Sequence, residues 1–92
     1  MTMTAAAPKT AHVIAHHANR ERLPMWVVYR PTTSDFNGVW CARMHLSLPS
    51  PELTNFLIQG ATLESVREQL PPGLTSIGRQ LNDDPVIEEV WL

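Results

Sequence analysis

The sequence predicts an α+β fold: a small antiparallel sheet in the order β-β-β-α-β, one short helix packed on one face, and a disordered N-terminal tail. Three observations predict it. Val39 to Leu48 alternates with period two and has one apolar side, the mark of a half-buried strand. Thr62 followed by Leu63, Val66 and Leu70 reads as a capped helix with one apolar stripe. Residues 1–24 lack a strong hydrophobic period that residues 25–92 possess, so the chain divides into a flexible N-terminal tail (1–24) and a single α+β domain (25–92).

Taken in order, Met1 to Pro8 is small and polar, and Ala11 to Arg22 has helix-forming composition. That stretch shows no apolar face to hold it, and a short isolated helix is marginal in water, so it reads as mobile. The patterned sequence opens at Met25, itself a candidate start. Met25-Trp-Val-Val-Tyr-Arg30 is rich in β-branched and aromatic residues and reads as a strand. Pro31 to Asn37 is a loop, and Asn37-Gly38 suits a tight hairpin turn. In the next strand Trp40, Ala42, Met44, Leu46 and Leu48 point one way, and Val39, Cys41, Arg43, His45 and Ser47 the other. Pro49-Ser-Pro51 ends it, because proline cannot donate to a ladder. Phe56 to Gln59 is a third short strand, broken by Gly60. The helix starts at Leu63, with Glu64 near its positive end, and Pro71-Pro72-Gly73 stops it. Leu74 to Gln80 allows a brief extended piece around Ile77, Asp83-Asp84-Pro85 a turn, and Val86 to Leu92 a final strand. Trp26, Trp40 and Trp91 fall one on each of three strands and are expected in the core or packed toward the helix, the alternative being that one of them anchors an interface. Gly38, Gly60, Gly73 and Gly78 read as scattered turn glycines.

Ninety-two residues make one domain, and 43% of them are apolar, too many for a disordered chain. A domain this short buries only about 60% of its unfolded surface, so a homodimer or a protein partner would help it. Cys41 is the single cysteine, which excludes an internal disulfide and favours a reducing, cytoplasmic setting. No apolar run approaches membrane length, and Lys9 and His12 stand where a secretory signal would have its apolar region, so neither membrane nor export is expected. In residues 1–24, Lys9, Arg20 and Arg22 against Glu21 leave +2; in residues 25–92, four arginines against eight acids leave −4. Nucleic-acid binding shows as a basic stripe, so the folded part is not expected to bind DNA or RNA directly.

The run Leu57-Ile-Gln-Gly-Ala-Thr-Leu-Glu-Ser-Val-Arg-Glu-Gln-Leu70 resembles the HicB-like antitoxin family, in which a strand leads through Gly-x-Thr-Leu-Glu-x-(Ala/Val) into a helix. Gly60, Thr62, Leu63, Glu64 and Val66 carry the match, and the order of elements is similar. The resemblance implies a partial ribonuclease-H-like fold, oligomerisation, no catalysis, and neutralisation of a toxin by binding. The family's turn before the third strand is replaced here by Leu48-Pro-Ser-Pro-Glu-Leu-Thr54, and no DNA-binding segment follows. From Met25-Trp26 through Pro72-Gly-Leu74 to Asp83-Asp-Pro-Val-Ile-Glu-Glu-Val-Trp91 the chain also looks like short bacterial and phage-associated proteins, a resemblance that brings no function with it.

No constellation of residues spells out catalysis. His12, His16 and His17 could place two imidazoles on one helix face, but a zinc site needs three or four ligands in fixed geometry, so they read as solvated. Asp83, Asp84, Glu88 and Glu89 are the densest acidic cluster; Glu88 and Glu89 point to opposite faces of a strand, and the cluster reads as a charged turn with a solubilised edge or as an acidic patch for a basic partner. Cys41 and His45 lie too far apart along an extended strand for a nucleophile–base pair. No cofactor or metal is expected. The candidate binding residues are Tyr29, Val39, Arg43 and His45 on the helix-free face, with Asp83, Asp84 and Glu88. The expected function is a non-enzymatic protein-binding module, in the concrete form an antitoxin-like masking of a partner protein through the sheet edge or the helix-free face. The alternatives are a phage-encoded inhibitor of a host defence nucleoprotein complex, of the anti-CRISPR type, and a small enzyme with an unrecognised site.

Overall fold

The structure, a computed structural model, describes residues 7–31, 38–79 and 86–92. In chain order the elements are α1 (Ala7–Ala18), a 3-10 turn (Arg20–Arg22), β1 (Pro24–Tyr29), β2 (Trp40–Leu46), β3 (Glu52–Gly60), α2 (Leu63–Gln69) and β4 (Ile87–Trp91). The strands form one sheet in the order β3-β2-β1-β4, antiparallel throughout. The α+β class and the β-β-β-α-β order are as the sequence predicts. Most of the predicted loop at 31–37 and the predicted turn at 83–85 lie outside the described residues.

Alternation along the strands sends one set of side chains into the core. Trp26 and Val28 from β1, Ala42, Met44 and Leu46 from β2 and Ile58 from β3 meet Val66 and Leu70 from α2 and Ala15 from α1. Trp40, Leu63, Leu74 and Trp91 pack around that cluster, so all three tryptophans belong to the core or its margin. Leu48, predicted on the apolar side of β2, lies beyond its end and is exposed.

α2 begins as its residues dictate. Thr62 Oγ1 accepts from the Ser65 N–H at 3.1 Å, and Ser65 Oγ accepts from the Thr62 N–H at 3.4 Å, a reciprocal cap worth about 1 kcal/mol. Gly60 serves this cap by its size, a correction to its reading as a turn glycine. A Cβ on Gly60 would overlap the Ser65 hydroxyl, whereas Gly38, Gly73 and Gly78 hold the positive φ of true turns.

β3 runs from Glu52, well before its predicted start. Three residues, Thr54 to Phe56, lie opposite Met44 alone, a bulge that breaks the polar/apolar alternation of Leu53 to Phe56. Thr54 Oγ1 fills the gap by donating to the Met44 carbonyl at 2.8 Å and accepting from the Phe56 N–H at 3.2 Å. At the opposite edge, the piece predicted around Ile77 lies along β4. Thr75 and Leu92 exchange backbone hydrogen bonds at 2.8 and 3.0 Å, and the Ile77 N–H donates to the Val90 carbonyl at 2.8 Å.

The largest difference lies at the N-terminal end. Where the sequence predicts a tail through residue 24 and one helix, residues 7–18 form a second helix, α1, that lies on the sheet. Its inward side is His12, Ala15 and His16, and His12 and Ala15 are buried. An alanine and two imidazoles do not register as an apolar stripe, yet they fit against a tryptophan.

β4 carries one more departure. Glu88 and Glu89 point to opposite faces, as predicted, but Glu89 faces the helices and is buried. It accepts from Arg67 Nη2 at 2.6 Å and from Arg67 Nε at 3.0 Å, and the Trp91 indole also donates to it. The Arg67 guanidinium, with help from Trp91, holds the Glu89 carboxyl below the usual carboxylate range against the opposing effect of burial. This fork joins α2 to the far edge strand. Breaking a fully buried pair costs about 3–5 kcal/mol; the Arg67 side chain is 41% exposed, which reduces the effect. Arg67→Met should therefore destabilise the protein by about 2 kcal/mol in urea denaturation at pH 7. A depressed carboxylate pKa contributes stability above its unfolded value of about 4.3 and loses it as pH falls through the folded value. The difference between Arg67→Met and the parent should accordingly shrink toward pH 3. An equal deficit at both pH values would assign the effect to packing rather than charge.

Candidate functional site

The helix-free face carries Tyr29, Arg43 and His45, as the sequence predicts. In the register of β1 with β2, Tyr29 lies opposite Cys41, Val27 opposite Arg43 and Met25 opposite His45. Tyr29 and His45 therefore start from diagonal positions and lean toward each other. The Tyr29 hydroxyl and His45 Nε2 are 3.0 Å apart, with ring centroids 6.4 Å apart. This arch crosses the positions of Val27 and Arg43, and Val27 and Cys41 are buried although no helix covers them. Arg43 is half-buried, and its Nε has no hydrogen-bond partner. Burial, and secondarily Arg43, push the His45 imidazole below its ordinary value. Predicted as binding residues, Tyr29, Arg43 and His45 thus come together, but in a cover that closes the face.

Val39 is half-buried just ahead of β2. Glu88 stands at the β4 edge, where its Oε1 accepts from Arg30 Nε at 2.6 Å. Asp83 and Asp84 lie outside the described residues. Among the described residues no three His, Cys, Asp or Glu side chains converge as a metal site would require.

Of the three histidines predicted to be solvated, His12 and His16 are not. Trp26 Nε1 donates to His16 Nδ1 at 3.1 Å, and the His12 ring meets the Trp26 ring edge-on at 5.5 Å. His12 also lies beside the Leu57 backbone, and its Nδ1 is buried without a hydrogen-bond partner. Burial pushes both imidazoles below their ordinary value; the Leu57 contact partly opposes this at His12, and neighbouring His17 adds to it at His16.

Sequence reasoning misses a third region, the end of the sheet where β1 and β3 begin and β2 and β4 finish. Four leucines cluster there with large exposure: Leu23 (56%), Leu48 (45%), Leu53 (58%) and Leu92 (49%). Two hollows open at this end, the larger walled in part by Leu23 and Leu92 and the smaller by Leu53. The larger, about 420 Å³, is walled by His16, Arg20, Leu23, Pro24, Met25, Ser47 and Leu92. The smaller, about 230 Å³, is walled by Met25, His45, Leu46, Ser47, Pro51, Glu52 and Leu53. Met25 and Ser47 belong to both, so the hollows adjoin. Arg22 fixes this corner: its carbonyl accepts from the Ser47 and Leu48 N–H groups at 2.9 and 3.1 Å, its Nε donates to the Leu48 carbonyl at 2.6 Å, and its Nη2 pairs with Glu52 at 2.9 Å. Leu23 takes a left-handed φ of 52° in making the turn into β1. The available signal is Leu23-Pro24 and Leu48-Pro49, apolar residues placed outside any period and beside a proline.

Compared with protein-family models, curated proteins and solved structures, the chain has no match.

The imidazole contacts give α1 a pH dependence of known sign. A histidine whose folded pKa is lowered contributes stability above its unfolded value of about 6.5 and loses it as pH falls through the folded value. Protonated His16 cannot accept from Trp26. The neighbouring side chains on α1 and the turn after it, His17 and Arg20, are basic and offer a protonated imidazole no counter-charge. Amides of α1, corrected for intrinsic rates, should exchange faster at pH 5 than at pH 7.5 while β2 amides stay protected. A His12→Ala/His16→Ala variant should exchange fast at both pH values; slow exchange in that variant would show that α1 is held by something else.

Proposed function

We propose that the protein is a non-enzymatic protein-binding module that docks a partner on the leucine-rimmed end of its sheet. The observation that carries this reading is that exposed Leu23, Leu92 and Leu53 wall two adjoining hollows at the sheet end where Leu48 is exposed as well. Clustered exposed apolar side chains rimmed by polar groups mark interaction sites, whereas single exposed leucines are ordinary. The polar side chains best suited to chemistry support the same reading, because they are engaged in holding the fold: His12 and His16 with Trp26, His45 with Tyr29, and Glu89 with Arg67.

An antitoxin-like role, masking a partner protein, is the concrete form of this proposal. The Gly60-x-Thr62-Leu63-Glu64 run that resembles HicB builds the α2 cap rather than the docking surface, so the role rests on the surface and not on that run. Tagged protein and its Leu53→Glu variant, each used to capture partners from a lysate of the source cell, test the reading by quantitative mass spectrometry. One protein should be recovered in near-stoichiometric yield by the parent and at least tenfold less by the variant. Equal recovery by both would remove this end of the sheet from the interface.

A further inference from the structure

Resting on that docking reading, we infer that the partner presents an acidic, apolar segment: two apolar side chains, one for each hollow, and a carboxylate that meets Arg20. The adjoining hollows ask for two anchors close together on one chain. The larger, at about 420 Å³, falls within the range of small-ligand pockets and takes a bulky aliphatic or aromatic side chain; the smaller, at about 230 Å³, takes a lesser one.

The charges around the rim decide the rest. Glu52, the one acid among the described residues of either wall, is already paired with Arg22 at 2.9 Å. Arg20 donates Nη1 to the His17 carbonyl at 3.0 Å, and the ion pairs among the described residues are those of Arg22, Arg30 and Arg67. Arg20 thus brings to the larger hollow a permanent charge with no ion-pair partner among the described residues, and four further N–H groups to offer a carboxylate. His16 and His45 add imidazoles to the two walls. The basic side chains thus line the hollows while Glu21, beside Arg20 in the chain, lines neither, and at physiological salt such groups act on contacts within a Debye length of about 8 Å. A second copy of this chain is the poorer occupant, because a twofold pairing of this surface brings one Arg20 toward the other.

Panning the full-length chain against a phage-displayed library of random decapeptides tests the inference. Enriched sequences should carry two apolar residues close together and at least one Asp or Glu. A labelled peptide of the commonest sequence should bind at least tenfold more weakly to Arg20→Glu, measured by fluorescence polarisation, and a version with Lys in place of its acid should prefer that variant over the parent. Leu23→Glu and Leu53→Glu should abolish binding of both peptides; all three positions are exposed, and circular dichroism verifies that the variants fold. Peptides that are apolar but not acidic, and still lost in Leu53→Glu, would overturn the acidic partner and leave the docking surface standing. No enrichment, or binding indifferent to both leucine variants, would overturn the two together. Self-association seen by light scattering and abolished by Leu53→Glu, without peptide binding, would replace the acidic segment with a second copy.

Discussion

A fully buried indole must donate its N–H, or the fold loses about 1–3 kcal/mol, and Trp26 sets this condition at the middle of the sheet. It lies opposite Met44 on one side and Trp91 on the other, with no exposed surface. The neighbouring strands bond through their backbones in the ladder, so the acceptor comes from above the sheet. His16 supplies it, which brings α1 down over β1. Once α1 is there, Ala15 joins the core and His12 packs edge-on against the same indole. A twelve-residue helix is marginal by itself, and a bare Trp26 would be costly, so helix and sheet each supply what the other lacks.

The remaining surfaces are closed in different ways. The β4 edge is covered by Thr75 to Ile77. The β3 edge carries a bulge at Thr54, and a side-chain contact reaches its outer strand: Gln69 Nε2 donates to the Gln59 carbonyl at 3.0 Å. Bulges and capped backbone groups discourage strand addition, which weakens the case for a partner pairing along that edge. The helix-free face is roofed by the Tyr29–His45 arch. By contrast, the sheet end where the chain turns at Leu23 and Leu48 keeps its leucines half in water. The location of the docking surface follows as much from how well the other surfaces are covered as from the leucines themselves.

What could be read from the residues divides by the kind of signal. β2 and α2 were legible because alternation and a cap with an i, i+3, i+7 stripe are local patterns that the tertiary fold has no reason to override. The partition of Glu88 and Glu89 to opposite faces was equally plain, since period two allows nothing else. Their roles were not, because whether a strand glutamate is solvated or buried depends on Arg67, 22 residues away in the chain. α1 was missed for a related reason: its inward face is made of His12, Ala15 and His16, which count as polar or neutral until Trp26 is known to lie beneath them. Of the candidate binding residues, Tyr29, Arg43 and His45 were placed on the right face by parity alone. Parity does not reveal that two long side chains lean diagonally and close that face. The exposed leucines come from three separate chain regions, Leu23, Leu48 with Leu53, and Leu92, so no single window of sequence could show them together.

His16 belongs both to the attachment of α1 and to the wall of the larger hollow. Any ligand carboxylate close to that imidazole favours its protonated form, whereas Trp26 requires an unprotonated Nδ1. Binding that drew its strength from His16 would therefore loosen the helix that forms part of the site, and by linkage the docked helix would hold such a ligand less tightly. Arg20 escapes this conflict. Its charge does not titrate, its Nη1 is bonded to the His17 carbonyl one turn back, and no contact with the core depends on it. A carboxylate held at Arg20 adds affinity while leaving the His16–Trp26 hydrogen bond intact. The geometry therefore divides the labour between two neighbouring bases: the neutral one fastens the fold, and the permanently charged one faces the partner.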